Sequence, residues 1–80
     1  MVVDTLTRIV AEVLRIDESK ITPETRMHET AVWDSLTHIE LIVMIEETFR
    51  IQFTQDEIVA MTEVGKIRET LAGRGIATEE

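Results

Sequence analysis

The chain contains no cysteine, which excludes a disulfide framework, a thiolate metal site and a cysteine nucleophile, and makes the cytosol the expected compartment. Basic side chains are scarce: eight Lys and Arg stand against sixteen Asp and Glu, a formal net charge of −8. So acidic a surface repels phosphate backbones and anionic headgroups, so neither nucleic acid nor a membrane is the expected partner, whereas a basic protein surface is. Long hydrophobic runs are also missing. The longest purely aliphatic or Met stretch is Leu41-Ile42-Val43-Met44-Ile45, too short to span a bilayer. The opening MVVDTLTRIV lacks the basic and long apolar regions of a signal peptide. A soluble, cytoplasmic protein is expected. Eighty residues make a single domain, 1–80, with too little core to enclose a deep cavity behind a rigid active site, so a standalone enzyme is not expected.

What is present is helical periodicity. Val3, Leu6, Ile9, Val10, Val13 and Leu14 recur at spacings near three and four and predict a first helix over about 4–15, capped by Asp4. From Ile16 to Asp34 the period fails around Ser19, Thr22-Pro23, Thr25 and Thr30. A connection this long in a small domain usually has a job. A second helix fits Ser35–Phe49, a short third Gln55–Met61, and a last about Val64–Ala72, ending at Gly73 and Gly75. The tail Thr78-Glu79-Glu80 is expected to fray. The fold class is all-α: a small four-helix bundle with a long loop between helices 1 and 2 and a short third helix.

Around the second helix, at roughly 100° per residue, Met44, Leu41, Ile45, Phe49 and Ile42 form a core arc. The opposite arc mixes Leu36, Ile39 and Val43 with Glu40, Glu46 and Glu47. Two readings stay open. The helix is buried nearly all round, or Leu36 and Val43 are apolar contacts ringed by acids that steer and dock a basic partner.

The helix begins at Val32-Trp33-Asp34-Ser35-Leu36-Thr37-His38. Asp and Ser are both preferred N-caps, and only one is needed. If Asp34 takes the Thr37 N–H, Ser35 occupies the first helical position with a free hydroxyl, where a phosphoryl group would meet the positive end of the helix dipole. Ser35 and His38 also suggest hydrolysis. Asp34, however, lies on the serine's side and not beyond the imidazole, and no Gly-rich turn supplies an oxyanion hole. Trp33 and His38 then occupy the N′ and N4 positions of a hydrophobic staple. His28, Glu29 and His38 lack metal-ligand spacing, so no metal is expected.

"DSL" opening a helix, followed by "IELIVMIEETF" and then by "MTEVGKI", resembles the acyl carrier protein family over nearly the whole chain. The resemblance implies that Ser35 is esterified to 4'-phosphopantetheine by a phosphopantetheinyl transferase using coenzyme A, and that acyl groups ride as thioesters on the arm. It implies a carrier that is a substrate of other enzymes and catalyses nothing itself. Asp34, Leu36, Glu40, Val43, Glu46 and Glu47 become the face for basic patches on the transferase and the acyl-loading and acyl-processing enzymes. Ile39, Ile42, Ile45, Phe49, Phe53, Met61, Val64, Ile67 and Leu71 become the core that shelters an acyl chain. A monomer is expected.

Three departures from the commonest fatty-acid-synthesis pattern point to a discrete carrier in a specialised fatty acid, lipid or polyketide pathway. Ala31-Val32-Trp33 replaces a Leu-Gly-small run before Asp-Ser, Thr37 replaces a frequent acid, and Arg50 stands where Gly or Asp often follows Phe49. The alternatives are a peptidyl or aminoacyl carrier, and an unmodified helical interaction module.

Overall fold

A computed structural model describes residues 4–28 and 32–76; Val3, Glu29, Thr30, Ala31 and the expected fraying at Thr78-Glu79-Glu80 lie outside them. The described chain forms helix α1 (Thr5–Leu14), one 3-10 turn at Glu18–Lys20, then α2 (Ser35–Phe49), α3 (Gln55–Ala60) and α4 (Val64–Gly73). The all-α expectation, with its long first loop and short third helix, is met. An isolated antiparallel bridge joins Arg26 of the long loop to Glu63.

Three helices are started by a side chain. Asp4 Oδ1 accepts the Thr7 N–H at 3.2 Å and Asp34 Oδ1 accepts the Thr37 N–H at 2.9 Å. Thr54 and Glu57 form a reciprocal capping box, each side chain accepting the other's backbone N–H, at 3.1 and 2.8 Å. The fourth start is different, because Glu63 makes no side-chain cap. The long loop supplies the acceptors instead: Val64 N–H donates to the Thr25 carbonyl at 3.0 Å and Gly65 N–H to the Pro23 carbonyl at 2.9 Å. A Cβ on residue 65 would stand 3.1 Å from that Pro23 oxygen, so glycine permits the close approach. Met27 N–H to the Thr62 carbonyl at 2.8 Å and the Arg26–Glu63 ion pair at 3.1 Å complete the seam. One job of the long loop is therefore to cap α4, whose orphan N–H groups would otherwise stay unpaired.

Helix ends follow one device at three places. The N–H groups of Ile16, Ile51 and Ile76 reach back to the carbonyls of Ala11, Glu46 and Leu71, after left-handed residues at Arg15 (φ 58°), Arg50 (φ 56°) and Gly75 (φ 76°). Each isoleucine then folds onto the core. The last helix therefore includes Gly73 and is closed by Gly75 alone. Arg50, puzzling as a sequence departure, sits where a glycine is conformationally favoured. Arg50→Gly should raise stability by about 1 kcal/mol, as relief of the left-handed Cβ clash exceeds the extra freedom given to the unfolded chain. Urea unfolding with an unchanged slope checks it.

The core is filled from α1 (Leu6, Val10, Leu14), α2 (Leu41, Ile45), α4 (Val64, Ile67, Leu71), Met61 and Trp33, each under 2 % exposed. Ile42 and Phe53 are also buried, while Met44 and Phe49 are half-buried against this cluster. Ile39, assigned above to the core, is not in it: at 54 % exposure it stands on the surface. Arg68 ties α4 to the start of α1 through Asp4. Arg74 ties α4 to α3 through Glu57 and lies 5.4 Å over the Phe53 ring.

Glu57 thus accepts from Arg74 and from the Thr54 N–H, which together hold its carboxyl below the ordinary carboxylate value, Arg74 first. A depressed folded value means that its stabilisation is present above the unfolded value, near 4.5, and is lost as pH falls through the folded one. Glu57→Gln should therefore flatten the acid limb of a far-UV circular dichroism titration below that pH and leave the neutral region's pH dependence unaltered.

Candidate functional site

The second helix opens on a divided labour between Asp34 and Ser35. Asp34 takes the Thr37 N–H, and that N–H followed by the Thr37 side chain holds the Asp34 carboxyl below its ordinary value. A fixed negative charge therefore lies at the positive end of a 15-residue helix. Ser35 is released from capping. It occupies the first helical position, exposed, and its hydroxyl makes no hydrogen bond within the described residues.

Trp33 does not obstruct that hydroxyl. Its indole is turned inward and is 0 % exposed, so Trp33 is a core anchor that offers no surface beside the serine, whereas Val32 stays 44 % exposed. The indole N–H donates to His38 Nδ1 at 3.1 Å, with ring centroids 6.0 Å apart. An indole can only donate, so His38 Nδ1 is the acceptor and the ring proton sits on Nε2. Nε2 then donates to the Ile58 carbonyl at 2.8 Å. That carbonyl lies in the last turn of α3, where carbonyls lack intrahelical partners. The expected staple is thus a polar relay joining the chain before α2, α2 itself and α3.

The relay decides the hydrolytic reading. Both imidazole nitrogens are engaged, and the Asp34 carboxylate faces Thr37. No group within this constellation is placed to take the Ser35 proton, so the four chemically suggestive residues do not form a triad.

Beside Ser35 a cleft of about 380 Å³ runs between α2, α3 and the loop, lined by Met27, His28, Ser35, His38, Ile39, Ile58, Val59 and Thr62. Most of its wall is apolar. His28 enters it from a left-handed backbone position, φ 70°, a conformation in which His is enriched over most residues.

The outer arc of α2 is not buried against other helices. Leu36, Ile39 and Val43 are 70 %, 54 % and 46 % exposed, and Val59 on α3 is 68 % exposed. Glu40 and Glu47 are exposed among them and make no ion pair within the described residues. The helix contains no Lys or Arg. Glu46 differs from these two acids: it is half-buried and its Oε2 accepts the Phe53 N–H at 2.9 Å, bracing the link after α2. The helical period alone places it beside Glu47 and gives no sign of this bond.

The residues fit a phosphopantetheine group. A free primary hydroxyl, a helix N-terminus facing the same solvent and an adjacent apolar cleft serve its ester linkage, its phosphate and its chain. No group of three His, Cys, Asp or Glu suited to a metal occurs among the described residues, and no helix there is long and apolar enough to cross a membrane.

Residues 4–71 match the model of the family described as "Phosphopantetheine attachment site". Among solved structures, the chain is similar to one from Mycobacterium tuberculosis named "a putative acyl carrier protein", with a TM-score of 0.77 at 23 % identity, over 86 % of this chain and 92 % of that one.

Proposed function

Because this chain belongs to the family described by its phosphopantetheine attachment site, matched over residues 4–71, we propose that Ser35 is the residue that carries the group. The protein is a carrier and not a catalyst, and its cofactor is 4'-phosphopantetheine. When bound, the group supplies a terminal thiol that a cysteine-free chain lacks, and holds cargo as a thioester. The single observation behind Ser35 is its exposed, uncommitted hydroxyl at the first position of α2, where Asp34 already provides the cap. In a reaction run by a separate transferase, Ser35 Oγ forms the ester bond to the pantetheine-side phosphorus of coenzyme A. The pyrophosphate P–O bond breaks, adenosine 3',5'-bisphosphate leaves, and the hydroxyl proton passes to a base of the transferase or to solvent. Asp34, by relieving Ser35 of capping, leaves that oxygen available, and the α2 N-terminus favours the phosphate charge.

We place docking on the outer arc of α2. Leu36 and Val43 offer apolar contact, Glu40 and Glu47 set the field, and Glu46 adds charge while bracing Phe53. The partners are the transferase and acyl-loading and acyl-processing enzymes with basic patches, met by a monomer in the cytosol. Glu40→Lys and Glu47→Lys should each slow transferase loading roughly tenfold at low salt with helicity retained. Equal rates for the reversed and parent chains would reduce these acids to solvated surface.

The cargo is acyl and the pathway a specialised fatty acid, lipid or polyketide route. The acidic second helix and the Trp33, Thr37 and Arg50 departures support this reading over housekeeping fatty acid synthesis and over an aminoacyl carrier. The mass of the cargo on protein purified from its own host tests it. An aminoacyl adduct would exclude acyl transport, and a bare chain that also resists the transferase would exclude carrier function.

A further inference from the structure

We propose that His38, clamped between the Trp33 indole and the Ile58 carbonyl, closes the cleft beside Ser35 against the bundle core, so that this carrier shelters acyl chains of short to medium length and leaves longer ones in solvent. The inference rests on Ser35 being the attachment residue. It concerns what the attached cargo can reach.

Between the cleft and the core stands His38, flanked by Met27 and Ile58, which line the cleft and pack against the core. His38 contributes to the cleft wall, is itself 5 % exposed, and has Trp33 bonded behind it. For a chain to pass inward it must part α2 from α3 at the place where His38 Nε2 bonds the Ile58 carbonyl at 2.8 Å. Parting them breaks the bond from the imidazole Nε2–H to the Ile58 carbonyl, a costly loss for a half-buried pair, while the Trp33–His38 bond on the α2 side stays in place. Space behind the relay is also taken, since Trp33, Leu41, Ile45 and Met61 are all fully buried there. An acyl chain gains free energy only for methylenes that leave water. At about 380 Å³ the cleft is near the small end of ligand pockets, so the gain stops once it is full.

The experiment loads the full chain through the transferase with butyryl, hexanoyl, decanoyl or palmitoyl coenzyme A and confirms each product by intact mass. It then compares melting temperatures with the protein bearing the unacylated arm. Butyryl, hexanoyl and decanoyl should raise the melting temperature in steps of a few degrees, with no further rise for palmitoyl, which exceeds the cleft. In His38→Ala palmitoyl should add a further rise. A wild-type melting temperature that climbs stepwise through palmitoyl overturns the proposal, as does a His38→Ala profile matching the wild type. Should that variant fail to fold, Trp33, the sole tryptophan, reports directly. A long chain brominated at its far end should leave wild-type indole fluorescence unquenched, and strong quenching places the chain in the core against the proposal. Absence of any mass gain is a distinct result, because it removes the attachment reading itself.

Discussion

Ser35→Ala takes up no phosphopantetheine: incubated with coenzyme A, magnesium and a broad-specificity transferase, the variant keeps its mass while the parent chain gains one arm. The expected loss is complete, because the reaction needs a hydroxyl oxygen at the head of α2 and the neighbouring Asp34 and Leu36 have none to offer. Stability should barely change. Ser35 is exposed, makes no hydrogen bond within the described residues and is not the cap, so its replacement belongs with surface changes of about ±0.5 kcal/mol. Asp34→Ala separates the two roles from the other side. It should cost about 1 kcal/mol through the lost cap and still accept the arm, since the oxygen that is esterified remains. If Ser35→Ala loaded as well as the parent, the site would have to be sought elsewhere; if it unfolded, Ser35 would be structural.

Trp33→Ala should be the most damaging single change to the fold. It empties the largest fully buried side chain and removes the donor to His38. Large aromatic truncations cost about 3–5 kcal/mol, against about 4–12 kcal/mol of total stability for a chain of this length. With a shift of roughly 4–8 °C per kcal/mol in small domains, the melting temperature should fall by tens of degrees, to the edge of folding. Trp33→Phe divides that loss. It keeps most of the apolar burial and deletes only the N–H, so it should cost about 1–3 kcal/mol, the penalty of a buried acceptor left without its partner. Equal losses for Phe and Ala would mean that the hydrogen bond and not the packing holds the site; no loss for Phe would mean that the relay is incidental.

Much of this was legible in the sequence because it is local. Asp4 before an apolar period, Asp34 before Ser35 and the run Ser35–Phe49 each announce a helix by rules that act within one turn, and the helices lie where those rules place them. An N′/N4 contact between Trp33 and His38 was readable in the same way, whereas the Thr54–Glu57 capping box, just as local, went unread. What escaped depends on segments far apart in the chain. The Ile58 carbonyl that completes the relay is twenty residues from His38, and the caps of α4 are backbone carbonyls at Pro23 and Thr25, which no side-chain pattern reveals. Glu46 belongs here too, since its bond to Phe53 N–H depends on how the chain turns after Arg50. The family resemblance put Ile39 in the core; the fold leaves it exposed on the cleft wall, on the outer arc where the helical period has it.

Those misses reshape the site more than the fold. A tryptophan beside the serine reads as an obstacle in one dimension and is a buried anchor in three. A histidine three residues on reads as a base and is a neutral bridge between helices. Both leave Ser35 as the one exposed, uncommitted member of its group.

The most direct measurement is peptide mapping by mass spectrometry of the wild-type chain after transferase treatment, alongside the protein purified from its host. A single phosphopantetheine on the peptide containing Ser35, in both samples, is the predicted result. An arm located on any other residue, or a fully unmodified Ser35 peptide in both, would contradict it.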